Sequence, residues 1–166
     1  EAFRQQPQQG AWAMLWVASL EAQQQLEQAD AAAATALQLG APPLADLRAK
    51  RVALGRQRAA KPAQAGSQAF IAQDFSAATG FAREAVARAP DVASHRLLLM
   101  TSQLLDGRLA DAEQTADQAL DNDQDDTVAL VMRAYLRQRQ GNAAEANADF
   151  DAALKQDWLD GQQQRN

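Results

Sequence analysis

The sequence predicts an all-α protein of antiparallel helix pairs stacked one on the next. Three observations carry this. The first is a period of 34 residues: Gly107 returns as Gly141, Ala112 as Ala146, Ala119 as Ala153, Leu120 as Leu154 and Asp123 as Asp157. A fixed period of that length marks a stacked array, in which each unit buries its apolar face only against its neighbours. The second is composition. Hydrophobic residues make up 47% of the 166, yet only 5% are aromatic and much of the remainder is Ala. Ala, Leu, Gln and Arg favour helix, and Ala lets helices approach closely. The third is punctuation. Gly40 ahead of Pro42 and Pro43, then Gly107 and Gly141, stand where helices should stop.

Residues 1–9 are expected to be the tail of a preceding unit, because the Ala2/Pro7 spacing recurs as Ala85/Pro90. Residues 10–43 fit a divergent helix pair. Its first helix should run from about Ala11 to Gln23, with Trp12 and Trp16 one turn apart, and its second from about Leu26 to Leu39. The two tryptophans are read as packing residues, in the core or between units.

Residues 44–58 fall out of register. Fifteen residues make about one helix, and Leu44, Leu47 and Leu54 share a face at helical spacing. The segment is read as an unpaired basic helix or as an insertion that lengthens its neighbour. Residues 59–92, 93–126 and 127–160 are three full units. Pro62 falls near the expected start of the first helix of 59–92, where proline is tolerated, and Asp74 is placed to cap the second. Residues 161–166 would open a further unit, so both ends are expected to be cuts through a longer array.

Several functions are disfavoured. The net charge of −5 does not suit general binding to nucleic acid, which needs a basic face. There is no Cys, so disulfides, thiolate chemistry and Cys-held metal are excluded. That composition is compatible with cytosol or periplasm. The longest apolar run, Ala11 to Ala18, is far too short for a membrane span. His95 is the single histidine, and no phosphate-binding, dinucleotide or metalloprotease motif is present. No set of nucleophile, base and oxyanion donor can be assembled, so a non-catalytic protein without cofactor or metal is expected. The run Asp121–Asp126 alternates acids as a calcium loop begins, but Asp126 replaces the loop's Gly and Met132 its closing Glu. It is read as an acidic turn in which an Asp, or Thr127, caps the next helix.

The units resemble the tetratricopeptide repeat (TPR). Small residues seven apart on the second helix are supplied by Ala78/Ala85, Ala112/Ala119 and Ala146/Ala153. The turn Gly is kept at 107 and 141 and replaced by Gln73. The small residue of the first helix is Gly66 or Ala134, replaced by Met100 in the middle unit. The resemblance implies a right-handed superhelix, an α-solenoid, with an inner groove lined by first helices. It implies a scaffold that takes a protein or peptide partner there. The groove positions map onto Ala63, Ser67, Phe70 and Ile71, then Leu97, Thr101, Leu104 and Leu105, then Val128, Val131, Tyr135, Gln138 and Arg139. The set is more apolar than charged, and it lacks the Lys and Asn clamp of chaperone-binding members.

A second candidate is the basic segment. Arg48, Lys50, Arg51, Arg56, Arg58 and Lys61 stand against Asp46 alone, a local +5 that leaves −10 elsewhere. Such a helix could hold an acidic partner or polymer. Its plainer reading is a solvated face balanced by neighbouring acids. A Gln- and Ala-rich, Cys-free array is also similar in style to the periplasmic TPR regions of outer-membrane exopolysaccharide-export and phage-adsorption-receptor proteins. That resemblance implies a periplasmic module guiding acidic polysaccharide or docking synthase partners.

Overall fold

The computed structural model describes residues 9–41 and 43–163. Every regular element among them is a helix: α1 (Gln9–Ala22), α2 (Leu26–Gln38), α3 (Leu44–Ile71), α4 (Phe75–Arg88), α5 (Ala93–Leu105), α6 (Leu109–Asn122), α7 (Thr127–Arg139) and α8 (Ala143–Gln163). The all-α helical repeat expected from the sequence is what forms. The chain divides into two compact units. One takes the chain up to Lys61 together with Ala87–Ala89; the other takes Pro62–Val86 and the chain from Pro90 onward.

The turns explain the period. In each, a backbone N–H just past the helix reaches back five residues: Gln25 to the Leu20 carbonyl (2.9 Å), Asp74 to Ala69 (2.9 Å), Arg108 to Gln103 (2.8 Å) and Asn142 to Arg137 (2.9 Å). This closure needs the residue before the donor in the left-handed region. Gly107 (φ +77°) and Gly141 (φ +87°) meet that need without strain, whereas Gln24 and Gln73 take it at φ +61° with a Cβ in place. The turn geometry therefore persists where the sequence has lost its Gly.

The second feature of the period is the Ala pair. Ala78, Ala85, Ala112, Ala119, Ala146 and Ala153 are all buried. Ala29 and Ala36 of α2 are buried at the same seven-residue spacing, which places α2 in the register too. In the first unit these alanines join Ala13, Val17 and Leu20 of α1 and Leu47 and Leu54 of α3 in one core. In the second, Met100, Ala116, Ala119, Leu120, Ala129, Leu130 and Ala153 form the core. Helix α6 packs on both α5 and α7, α7 packs on α8, and the first helices α5 and α7 also touch.

Helix α3 takes the second of the two readings of the basic segment, an insertion that lengthens its neighbour. It runs unbroken for 28 residues, through the basic segment 44–58 and on to Ile71. Pro62 therefore lies in the interior of a helix and not near the start of one. An interior proline has no N–H for the carbonyl four residues back, here Arg58. That carbonyl instead accepts from Nη1 of Arg88 at 2.9 Å. Gly55 stands one turn earlier, where any Cβ would collide with the Arg88 backbone carbonyl. A close approach of the α4 terminus thus satisfies the gap that Pro62 leaves.

The tryptophans also differ from expectation. Trp12 (66% exposed) and Trp16 (53%) stand open on α1 with Leu15 between them. One stripe of a helix can be apolar without being covered, and side-chain type alone does not say which. The expected tail 1–9 lies outside the described residues except for Gln9, which opens α1. The segment 161–166 continues α8 as far as Gln163, and its last three residues lie outside the described residues.

Candidate partner-binding face

The groove positions fall on the C-terminal part of α3, on α5 and on α7. These first helices are neighbours. Helices α5 and α7 touch, and Gly66 of α3 lies so close to α5 that a Cβ there would stand 3.1 Å from Leu98 Cδ2. Ile71, Leu97, Leu105, Val131 and Tyr135 are all exposed on them. Among the described residues, the large apolar side chains of this unit that are exposed on second helices are Phe81 and Leu154 alone. The exposed apolar surface therefore belongs mainly to the first helices.

The remaining positions divide by what holds them. Phe70 is half-buried and stacks edge-on against Phe75 across the α3–α4 turn, with centroids 5.5 Å apart. Val128 packs partly into the core. Leu104 is half-buried, as is Thr101, whose hydroxyl donates to the Leu97 carbonyl at 2.7 Å. Ser67 does the same to Ala63 at 3.0 Å. Gln138 and Arg139 are exposed, and the Arg139 guanidinium lies 6.0 Å from the Tyr135 ring centroid. The face offers apolar side chains, one stacked cation and few free hydroxyls.

Behind it the unit is braced by charge. Asp149, buried on α8, accepts from Arg133 Nε (2.9 Å) and Nη2 (2.8 Å) and from Arg137 Nη1 (2.8 Å). Arg133 also reaches Asp117 of α6 at 3.0 Å. These contacts, the Asp149 bond first, raise the Arg133 pKa further above its usual value. Asp126 caps α7, its Oδ1 accepting from the Ala129 amide at 3.1 Å, and its other oxygen pairs with Arg96 of α5. The acidic run 121–126 thus ends in a helix cap that bridges two units of the repeat.

The basic segment lies in the first unit, where acids from α1 and α2 meet it. Lys50 pairs with Glu21, which also accepts from Gln57 at 2.8 Å. The Lys50 contact first, then Gln57, holds the Glu21 carboxyl below its usual range. Asp30 accepts from Arg51 Nε and Arg58 Nη1, both at 2.8 Å. Burial pushes Asp30 up, but the two arginines outweigh it and leave its pKa lowered. Arg58 also pairs with Glu27, whose contact raises the arginine further. Arg56 is engaged as well, while Arg48 and Lys61 are exposed. A cleft of about 850 Å³ opens beside this network, lined by Glu21, Glu27, Gln57, Arg58, Lys61 and Arg88 among others. Both signs of charge border it. Among the described residues no three metal-binding side chains cluster, and no helix is long and apolar enough to cross a membrane.

No protein-family model matches the chain, and no curated protein matches it. Among solved structures the chain is similar to that of a MamA RS-1 ArsTM double mutant, a TPR-containing protein. The TM-score is 0.50 and the identity 15%, over 95% of this chain and 88% of that one. The fold is a tetratricopeptide-like helical repeat. At that identity the likeness speaks for the fold, and the function must rest on the residues of this chain.

Proposed function

We propose that the chain is a non-catalytic scaffold that holds a protein partner on the face built by the C-terminal part of α3, by α5 and by α7. The observation that carries this reading is the exposure of Ile71, Leu97, Leu105, Val131 and Tyr135 on adjacent first helices. Exposed apolar side chains grouped on one face mark interaction sites more often than scattered ones do. Tyr135 under Arg139 supplies the aromatic-plus-arginine pairing enriched at binding hot spots. The partner segment this face suits is an apolar peptide with an acidic residue for Arg139.

Leu97→Glu with Val131→Glu tests it. Both side chains are exposed, so the helices should form as before. A partner retained by the parent chain should be lost by the double variant. Retention of every partner would reject this face as the site. The periplasmic polysaccharide reading draws on the basic segment, but Lys50, Arg51 and Arg58 are already engaged by carboxylates of α1 and α2. No observation favours it over the protein-partner reading.

A further inference from the structure

The out-of-register segment does more than lengthen α3. Its last residues, Gln57 and Arg58, join Ala60 and Lys61 in lining the cleft of the first unit. The regular units have no counterpart of residues 44–58. This cleft therefore belongs to the place where the repeat breaks.

The first unit carries eight Lys or Arg against five Asp or Glu, whereas the second carries eight against sixteen. The cationic excess reaches the cleft. Of its two carboxylates, Glu21 is taken by Lys50 and Gln57. The other, Glu27, serves two guanidiniums: it pairs with Arg58 and lies 3.8 Å from Arg88 Nη2. Its side chain is 64% exposed, and ion pairs so open to water are readily exchanged. Lys61, also lining the cleft, is exposed and has no acidic partner among the described residues. Arg58 Nε is buried and finds no acceptor. The cluster is short of acceptors where buried donors are normally satisfied.

We propose that the cleft binds a small organic acid, whose carboxylate meets Lys61 and displaces Glu27 from Arg58 and Arg88. The lysine and the two guanidiniums select an anion. The arginine forks suit a planar carboxylate, the group that Glu27 already offers them. Ala18, Ala22 and Ala60 line the cleft with exposed methyl groups, which suit a short aliphatic body. No aromatic side chain among the described lining residues is there to stack on a ring. The volume of about 850 Å³ lies within the range of small-molecule sites. Glu27 then acts as a built-in competitor that the ligand must outbid. The cleft lies in the first unit, so the proposal does not depend on the partner-binding face of the second.

Nuclear magnetic resonance titration of the 166-residue chain with glutarate tests the proposal. The amides of Ala18, Ala60 and Lys61 should shift, while those of Leu97 and Val131 stay. Binding should be weak, with Kd about 1 mM at low salt, and weaker as salt is added. Neutral glutaramide should not bind. Lys61→Gln should weaken glutarate about tenfold through loss of the unpaired cation. Glu27→Gln should tighten it about threefold, because the competing charge is gone. No response to glutarate up to about 50 mM in either the parent or Glu27→Gln would overturn the proposal. So would an affinity unchanged in Lys61→Gln or lowered in Glu27→Gln. Inorganic phosphate binding as well as glutarate would overturn the choice of a carboxylate, and a triglutamate peptide binding where glutarate does not would overturn the small-molecule class. Far-UV circular dichroism checks the fold. If Glu27→Gln unfolds, Glu27→Asp, which draws the carboxylate back from the arginines, takes its place with the same expected sign.

Discussion

Nη1 of Arg88 donates to the backbone carbonyl of Arg58 at 2.9 Å, and that carbonyl is the one Pro62 deprives of its helical partner. The bond ties the end of α4 to the middle of α3. It explains how a 28-residue helix carries an interior proline. Arg88→Ala should cost about 1–2 kcal/mol, the range of a hydrogen bond lost to a group left short of partners. In a Pro62→Ala background the alanine amide supplies the missing donor, so the same change should cost about 1 kcal/mol less. Arg88 also approaches Glu27, at 3.8 Å, but that contact is common to both backgrounds and cancels in the cycle. Urea unfolding of the four chains measures the coupling. A coupling of zero would mean that Arg88 does not serve the carbonyl.

The turns make a second prediction. Gln73 holds φ +61° where Gly107 holds φ +77° in the next unit. Gln73→Gly should stabilise by a few tenths to about 1 kcal/mol, relief of left-handed strain being partly offset by a freer unfolded chain. Gly107→Ala should destabilise by about 1 kcal/mol for the same reason reversed. Thermal melts of the pair decide it, and equal signs would contradict the shared turn geometry.

Asp149 makes the third. It serves two guanidiniums at once, and Asp149→Ala leaves both Arg133 and Arg137 without it. The expected cost is about 2–3 kcal/mol, less than for a fully buried pair because both arginines reach water. Denaturant unfolding should show an earlier midpoint at an unchanged slope.

The fourth concerns pH. Glu21 and Asp30 sit below their ordinary values of 4.5 and 3.8. A depressed acid contributes stability that is complete above its unfolded pKa and is lost as pH falls through its folded pKa. The first unit should therefore hold its stability at neutral pH and lose it on acidification below about pH 4. In a Lys50→Gln/Arg51→Gln variant the neutral-pH stability should be lower and the acid loss shallower. Urea midpoints at neutral and acid pH test the sign.

The repeat was legible because sterics leave few choices at its tight points. Ala112, Ala119, Gly107 and their equivalents had to be small or left-handed, and they recur visibly. Where another residue tolerates the same geometry, as at Gln24 and Gln73, the signal vanishes though the turn remains. The interior place of Pro62 was hidden because a proline there reads as a start signal, and the donor that makes good its missing N–H comes from Arg88, far along the sequence. Gly55 is set by that same approach. Exposure was the least legible property. Trp12 and Phe70 are both aromatic on first helices, yet one stands open and the other packs on Phe75. Residue type cannot distinguish them, because coverage depends on which helix comes next.

The most direct test of the scaffold reading is site-specific photo-crosslinking. A photoreactive side chain is placed in turn at Leu97, Val131 and Tyr135 of the first helices, and at Ala110 and Gln118, exposed on the second helix α6. The expected result is one partner captured from the first three positions and not from the last two. Capture of that partner from Ala110 and Gln118, with none from Leu97, Val131 or Tyr135, would contradict the assignment of this face.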